Sequence, residues 1–206
     1  MMTRNHLKMG RLIQDEMAKH DMPLNKPLFL AGNLAPDLIV SYLFRQHSYP
    51  LCANQLKKLI RRLYDGGAAR GYMKFSFLLG IMSHYLCDFF CYPHTTVFSG
   101  GVREHARYEK YQTVSADDIL PFEKQNSTNV SFSTLVGALD GHITEHEQVL
   151  ADNIGVSTLD IPQAVYFTTW AASAIYLNAA AKGLDVGNPA NGHVEVFPAD
   201  VAGQPN

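Results

Sequence analysis

Apolar residues recur at helical spacing along most of this 206-residue chain. Met9, Ile13 and Met17 fall on one face of the first amphipathic segment, and the same periodicity of three to four residues returns in the later segments. Prolines and glycine pairs separate these segments. The helices are predicted at residues 5–20, 26–46 (or two pieces meeting at Pro36), 55–64, 72–91, 102–111, 132–153 and 161–182. The pattern therefore predicts an all-α, single-domain protein of about six or seven helices.

The last part of the chain departs from this pattern. From Gly183 onward it is rich in Gly, Pro, Asn and Asp, and only residues 193–197 (H-V-E-V-F) alternate as a short strand does. We therefore expect residues 1–182 to form the helical domain. Residues 183–206 are expected to form a poorly structured C-terminal tail.

Composition and charge narrow the classes of function. Apolar residues make up 47% of the chain and charged residues 17%, against about 25% in an average globular protein. The net charge of −2 provides no basic field to hold nucleic acid, so no nucleic-acid partner is expected. No transmembrane segment or signal peptide is recognisable, so we expect a soluble cytoplasmic protein with at most transient contact with a membrane surface. The helix face suited to such contact carries Lys57, Lys58, Arg61 and Arg62.

Histidines and carboxylates in the middle of the chain carry the candidate chemistry. His84 and Asp88 stand four residues apart, as do His105 and Glu109, so each pair shares one helix face. His94 lies between the two pairs. A carboxylate on an apolar helix must be paired or bound to metal, because burying it bare is costly. Imidazole and carboxylate suit zinc, and these residues are enough for more than one ion.

Two other patterns could be metal ligands, but each has a simpler structural explanation. Cys87 and Cys91 are candidate thiolate ligands, but a buried free cysteine is more often a small hydrophobe, and we prefer that interpretation. Residues 142–146 read H-I-T-E-H and match the inverted zinc-protease pattern H-x-x-E-H. Their helix looks half exposed, so we interpret these residues as part of a solvated face.

The central string resembles the zinc-dependent phospholipase C family. The family hallmark is H-Y-L-x-D, then five residues, then His, and later H-x-x-x-E. This chain has H-Y-L-C-D at residues 84–88, His94 after five residues, and H-A-R-Y-E at residues 105–109. Upstream, a Pro-Asp pair ending at Asp37 precedes His47, as a Pro-Asp pair precedes a histidine in family members.

The resemblance implies two zinc ions with three motif ligands each, and leaves a third ion open. The ligands of the first two ions would be His47, His84 and Asp88, and then His94, His105 and Glu109. Asp37 would lie near the first ion or bind it. In secreted members a third ion uses an N-terminal histidine, the amine and carbonyl of an N-terminal Trp, and the shared carboxylate. Here His6 and Asp88 match those roles, but the chain begins with Met1.

The resemblance also implies a phosphoric diester hydrolase acting on a phospholipid or a related head-group ester. The ions would bind the phosphate oxygens and activate a water, with Asp37 orienting that water or accepting its proton. One alternative is a zinc-dependent single-strand nuclease, a class that shares the fold but ends the last ligand pair with Asp, where this chain has Glu109. Another is a metal-stabilised helical protein without turnover.

Aromatic residues around the motif are candidates to line a substrate cleft or to hold a quaternary ammonium group by cation–π contact. They are Tyr49, Tyr85, Phe89, Tyr92 and Tyr108. For Phe89 we prefer a place in the core.

Overall fold

The computed structural model describes residues 1–38, 47–66, 71–152 and 158–187. These residues form seven α-helices and no strand, which confirms the all-α prediction. The helices are α1 Thr3–Lys19, α2 Lys26–Leu38, α3 Tyr49–Tyr64, α4 Tyr72–Phe89, α5 Val102–Tyr111, α6 Phe132–Asp152 and α7 Asp160–Ala181. Short 3₁₀ helices lie at Tyr92–His94, Ala116–Asp118 and Lys124–Ser127. The strand predicted at 193–197 and residues 39–46 of the second predicted helix lie outside the described residues.

Most helix bounds fall within two residues of the predicted ones, and the start of α3 is the exception. The helix begins at Tyr49 rather than at residue 55, with Pro50 in its first turn. Proline fits that position because the first helical N–H groups have no partner within the helix. In α2, Pro36 lies inside the helix, which continues to Leu38, so the helix does not divide at the proline.

The central helix is α4, which is apolar on nearly all sides and packs most extensively against α2. Two glycines allow the backbones of these helices to approach closely. A Cβ atom on Gly32 would lie 2.0 Å from Phe77 O, and one on Gly80 would lie 2.1 Å from Phe29 O. The pair therefore fixes the position of α2 against the middle of α4.

Helix α7 closes the core against α1 and α4 with a face of small residues. Ala164, Ala172 and Ala179 are fully buried there. Beyond α7, Leu184 packs against the core and Val186 is buried. The domain division after residue 182 stays a prediction. Within the described residues, no helix is both long enough and apolar enough to cross a membrane.

Candidate metal centre

Asp88 lies at the centre of a cluster formed where α4 ends. Both Asp88 and His84 are fully buried, one helical turn apart. Asp88 Oδ2 lies 3.1 Å from His47 Nδ1 and 3.2 Å from His84 Nε2. Asp88 Oδ1 lies 3.1 Å from His6 Nε2 and 3.7 Å from His94 Nε2. One carboxylate therefore faces four imidazoles from separate parts of the chain.

Glu109 on α5 forms the second carboxylate of the cluster. Its Oε1 lies 2.6 Å from His105 Nε2, one turn earlier on the same helix, and 3.0 Å from His94 Nε2. Helix α5 begins after Gly101, whose N–H donates to Glu104 Oε2 at 2.5 Å. This cap sets the start of the helix, and the four-residue spacing then brings His105 and Glu109 together.

Asp37 is the most exposed of the three carboxylates in the cluster. Its side chain is 19% exposed, and its Oδ1 lies 3.7 Å from His84 Nε2. Thr3 Oγ1 donates a hydrogen bond of 3.0 Å to the other oxygen, Oδ2. One oxygen is therefore anchored by α1, while the other faces the cluster from α2.

The amino group of Met1 also enters the cluster. It donates to Asp88 Oδ1 at 2.8 Å and lies 2.7 Å from both His94 Nε2 and Glu109 Oε1. Burial lowers the pKa of this amine, but the charges of Asp88 and Glu109 outweigh burial and raise it to about 11. Sequence spacing does not reveal this contact. The family resemblance offers the only such signal, because secreted members use an N-terminal amine, and Met1 stands where they have Trp.

Backbone carbonyls fix the orientation of two imidazoles. His84 Nδ1 donates to Asn33 O at 2.9 Å, and His94 Nδ1 donates to His47 O at 3.1 Å. Since a carbonyl only accepts, each Nδ1 carries a hydrogen, and in the neutral ring each Nε2 presents a lone pair. Such contacts to the outer nitrogen commonly orient histidines that bind metals.

The group formed by His47, His84 and Asp88 has the geometry of one face of a coordination tetrahedron. The three facing atoms are 3.1, 3.1 and 3.2 Å apart. Zinc ligands at 2.0–2.1 Å from the ion lie roughly 3.3 Å from one another in a tetrahedron. His84 Nε2 and Asp88 Oδ2 both present lone pairs, and His47 Nδ1 supplies one hydrogen at most. A cation satisfies all three atoms at once, so these residues fit a zinc ion.

His6 completes the inner side of the cluster. Its ring stacks on that of His84 with centroids 3.9 Å apart. Burial, followed by the neighbouring His84, lowers the pKa of His6 to about 4, so the ring is neutral at pH 7. Its Nδ1 is buried without a hydrogen-bond partner. A neutral ring facing Asp88 suits metal ligation.

The two cysteines of α4 and its end lie in different surroundings. Cys87 Sγ is 3.7 Å from Thr168 Oγ1, and burial raises the pKa of this thiol to about 12. Cys91 Sγ lies within 4.8 Å of ligand atoms of His94 and Glu109. Burial raises the pKa of Cys91 as well. The interpretation of both as small hydrophobes stays a prediction, and Cys91 is the one placed to contact a metal.

The H-x-x-E-H residues do not form a second centre. His146 Nε2 donates to Phe90 O at 2.7 Å, while the His142 side chain is 45% exposed. Among the described residues, neither histidine belongs to a group of converging ligand atoms. The interpretation as a solvated face was wrong for His146, which is buried against α4 because it lies on the same face of α6 as Ile143 and Leu150.

The aromatic candidates divide between the cluster and the core. Tyr85 contacts the rings of His47 and His84 at centroid distances of 5.2 and 5.5 Å. Phe89 is fully buried, as preferred. Tyr92 and Tyr108 pack against each other at 5.5 Å.

The basic face of α3 is partly neutralised. Lys57 forms an ion pair of 2.7 Å with Asp140, and Arg61 forms one of 3.0 Å with Asp65. Exposed pairs of this kind reduce the charge available to a membrane surface, so membrane contact stays a prediction.

Comparison with known proteins points to one family. The model of the family described as zinc dependent phospholipase C matches residues 5–150, well over half of the chain. The matched range contains all eight residues predicted as ligands and excludes α7. No curated protein and no solved structure matches the chain.

Proposed function

Because this chain belongs to the zinc-dependent phospholipase C family, we propose that it hydrolyses the phosphodiester of a phospholipid with bound zinc. The observation that carries this proposal is the triangle formed by His47, His84 and Asp88. Its three edges match the spacing of zinc ligands, and its lone pairs favour a bound cation.

The proposed ligand sets follow the two halves of the cluster. His47, His84 and Asp88 would hold the first ion. His94, His105 and Glu109, the group around Glu109, would hold the second. On a chain that starts at Met1, a third ion would displace a proton from its amine and bind that amine with His6 and Asp88.

Charge supports an anionic substrate only when metal is present. The carboxylates of Asp37, Asp88 and Glu109 face one cluster and would repel a phosphodiester. Bound zinc supplies positive charge for the phosphate and leaving oxygens, and it makes a water acidic enough to attack near neutral pH.

Asp37 is the proposed general base. Thr3 anchors its Oδ2, so Oδ1 is held toward His84 and remains accessible to a water molecule. From this position the carboxylate orients the attacking water and takes its proton. Its partial exposure also allows the proton to return to solvent.

An apolar cleft next to the cluster favours a lipid over a polynucleotide. The cleft has a volume of about 270 Å³, and Tyr85 separates it from the rings of His47 and His84. Its other walls are Cys52, Gln55, Leu56, Leu59, Arg62, Leu78 and Ile81. Aliphatic walls suit the apolar part of a phospholipid, whereas single-stranded nucleic acid is typically held by stacked aromatic rings in a basic groove.

The test combines metal analysis with three substrates. Purified protein is expected to contain at least two zinc ions per chain and to release phosphocholine from phosphatidylcholine in mixed micelles. Chelation should abolish turnover, and added zinc should restore it. Single-stranded DNA and bis(p-nitrophenyl) phosphate are assayed beside the lipid. Cleavage of DNA without cleavage of lipid would establish the nuclease, and bound zinc without any turnover would establish a structural role.

Histidine variants connect activity to the cluster. The double variant His94→Ala, His105→Ala should lose one zinc ion and nearly all turnover. His142→Ala is the matched control, because that histidine is exposed on α6 and lies outside the cluster. Equal zinc content in the double variant and the control would contradict the proposed ligands.

A further inference from the structure

A buried carboxylate contacts the segments that carry His94, His105 and Glu109 without being part of that group. Asp160 is the first residue of α7 and is fully buried. It lies outside the range matched by the family model. Nothing in the proposed mechanism uses this charge, and a buried carboxylate needs strong hydrogen bonds to remain ionised.

Three donors converge on a single oxygen of Asp160. Its Oδ2 accepts the backbone N–H of Tyr92 at 2.8 Å, the hydroxyl of Tyr108 at 2.8 Å and Nε2 of Gln112 at 3.0 Å. Hydrogen bonds to an ionised acceptor are stronger than neutral ones. Oδ1 lies 3.5 Å from His146 Nε2, whose hydrogen is donated to Phe90 O.

These donors belong to the two segments that carry the second ligand group. Tyr92 opens the 3₁₀ helix that contains His94, and Tyr108 directly precedes Glu109 on α5. Gln112 follows the end of α5, and its Oε1 accepts from Cys91 Sγ at 3.5 Å. Asp160 therefore ties both segments to the start of α7.

We propose that Asp160 is a positioning residue that sets the distance between His94 and Glu109 and thereby the zinc affinity of this group. The inference rests on the proposed function in taking those residues as ligands, but it does not require that the substrate is a phospholipid. A residue that only filled space would stabilise the fold, but its removal would not weaken the affinity for one zinc ion more than for the other.

The test measures zinc affinity on the full chain by competition with a chromophoric chelator. The binding phase absent from the His94→Ala, His105→Ala protein is assigned to the second group. Asp160→Ala should weaken that phase by about 10- to 100-fold, the usual range for residues that support metal ligands, and leave the other phase unchanged. Asp160→Asn keeps an acceptor oxygen in place and should recover most of the affinity.

Two further variants keep the inference falsifiable. Tyr108→Phe removes one donor, so it should cause a smaller loss at the same phase, and it carries the test if Asp160→Ala does not fold. Glu16→Gln is the control, because this buried carboxylate on α1 pairs with Lys19 outside the cluster. The absorption spectrum of bound Co²⁺ should change with Asp160→Ala and remain unchanged with Glu16→Gln.

The outcomes separate this inference from the proposed function. Unchanged affinity and Co²⁺ spectrum in both Asp160→Ala and Tyr108→Phe would overturn the positioning role, as would equal weakening of both phases. Failure of the zinc-loaded wild-type protein to cleave phospholipid would overturn the proposed function alone.

Discussion

The proposed ligand group at the end of α4 and the proposed ligand group on α5 are held in different ways. His84 and Asp88 sit on a central helix whose backbone contacts α2 through two glycines, and both side chains are fully buried. His105 sits on a helix of ten residues and is 34% exposed. Close helix packing holds His84 and Asp88 of the first group, whereas the segments that carry the second group are hydrogen-bonded to Asp160.

This difference has consequences for dynamics and metal binding. Tightly packed core residues open only with global unfolding, while short helices with few buried contacts open locally at lower free energy. The first group should therefore retain its shape without metal. The second group should depend more on its supporting hydrogen bonds and exchange its ion more readily.

The largest effect is expected from Asp88→Asn, which changes the carboxylate that belongs to the first group and also faces His94 of the second. The amide cannot replace the negative charge of this carboxylate, so turnover should fall by more than about 100-fold and the zinc content should drop. Turnover and zinc per chain are measured on the same preparation. Asp140→Asn serves as control, since this carboxylate pairs with Lys57 away from the cluster. Full zinc content in Asp88→Asn would show that Asp88 is not needed to hold the first ion.

The next effect concerns the α2–α4 contact. Gly80→Ala places a methyl group against Phe29 O and should lower the free energy of unfolding by about 1–3 kcal/mol in urea titrations. It should also weaken the first zinc phase more than the second. Gly137→Ala on α6 meets no atom within 4 Å and should raise stability by about 0.5–1 kcal/mol. Equal stability of the two variants would show that close approach is not needed.

Stepwise chelation should reveal a smaller difference between the groups. At limiting chelator, the ion of the second group should leave first, because His105 and Glu109 are more exposed than His84 and Asp88. Residual zinc per chain and the Co²⁺ spectrum follow the order of loss. Earlier loss of zinc from the first group would contradict the expectation that the second group holds its ion less firmly.

The smallest effect is expected in cysteine labelling. Burial raises the pKa of Cys87 to about 12 and raises that of Cys91, so both thiols should react slowly with iodoacetamide at pH 8. After zinc removal, Cys91 should label before Cys87, because it lies beside the second group. Peptide mass spectrometry gives the order, and prior labelling of Cys87 would indicate that the core opens first.

Local spacing explains which parts of the site could be predicted from sequence. His84 with Asp88, and His105 with Glu109, are four residues apart on helices, so their proximity follows from helix geometry alone. His6, Asp37 and His47 could be assigned only through the family resemblance, because tertiary packing brings them to the cluster.

Contacts between distant segments could not be predicted in the same way. Asp160 lies 68 residues from Tyr92 along the chain, and no local pattern connects them. The contact between the Asn33 carbonyl and His84 could not be predicted either, because every residue has a backbone carbonyl and the sequence does not mark this one. The prediction of a solvated face was wrong for His146, because the polar residues beside it in the sequence suggested exposure. The fold instead places its ring against Phe90.

Anomalous X-ray diffraction at the zinc edge tests the central claim most directly. The account predicts one anomalous peak bounded by His47, His84 and Asp88, and a second bounded by the group around Glu109. Crystals of zinc-loaded protein that show no peak at the first position would contradict the account.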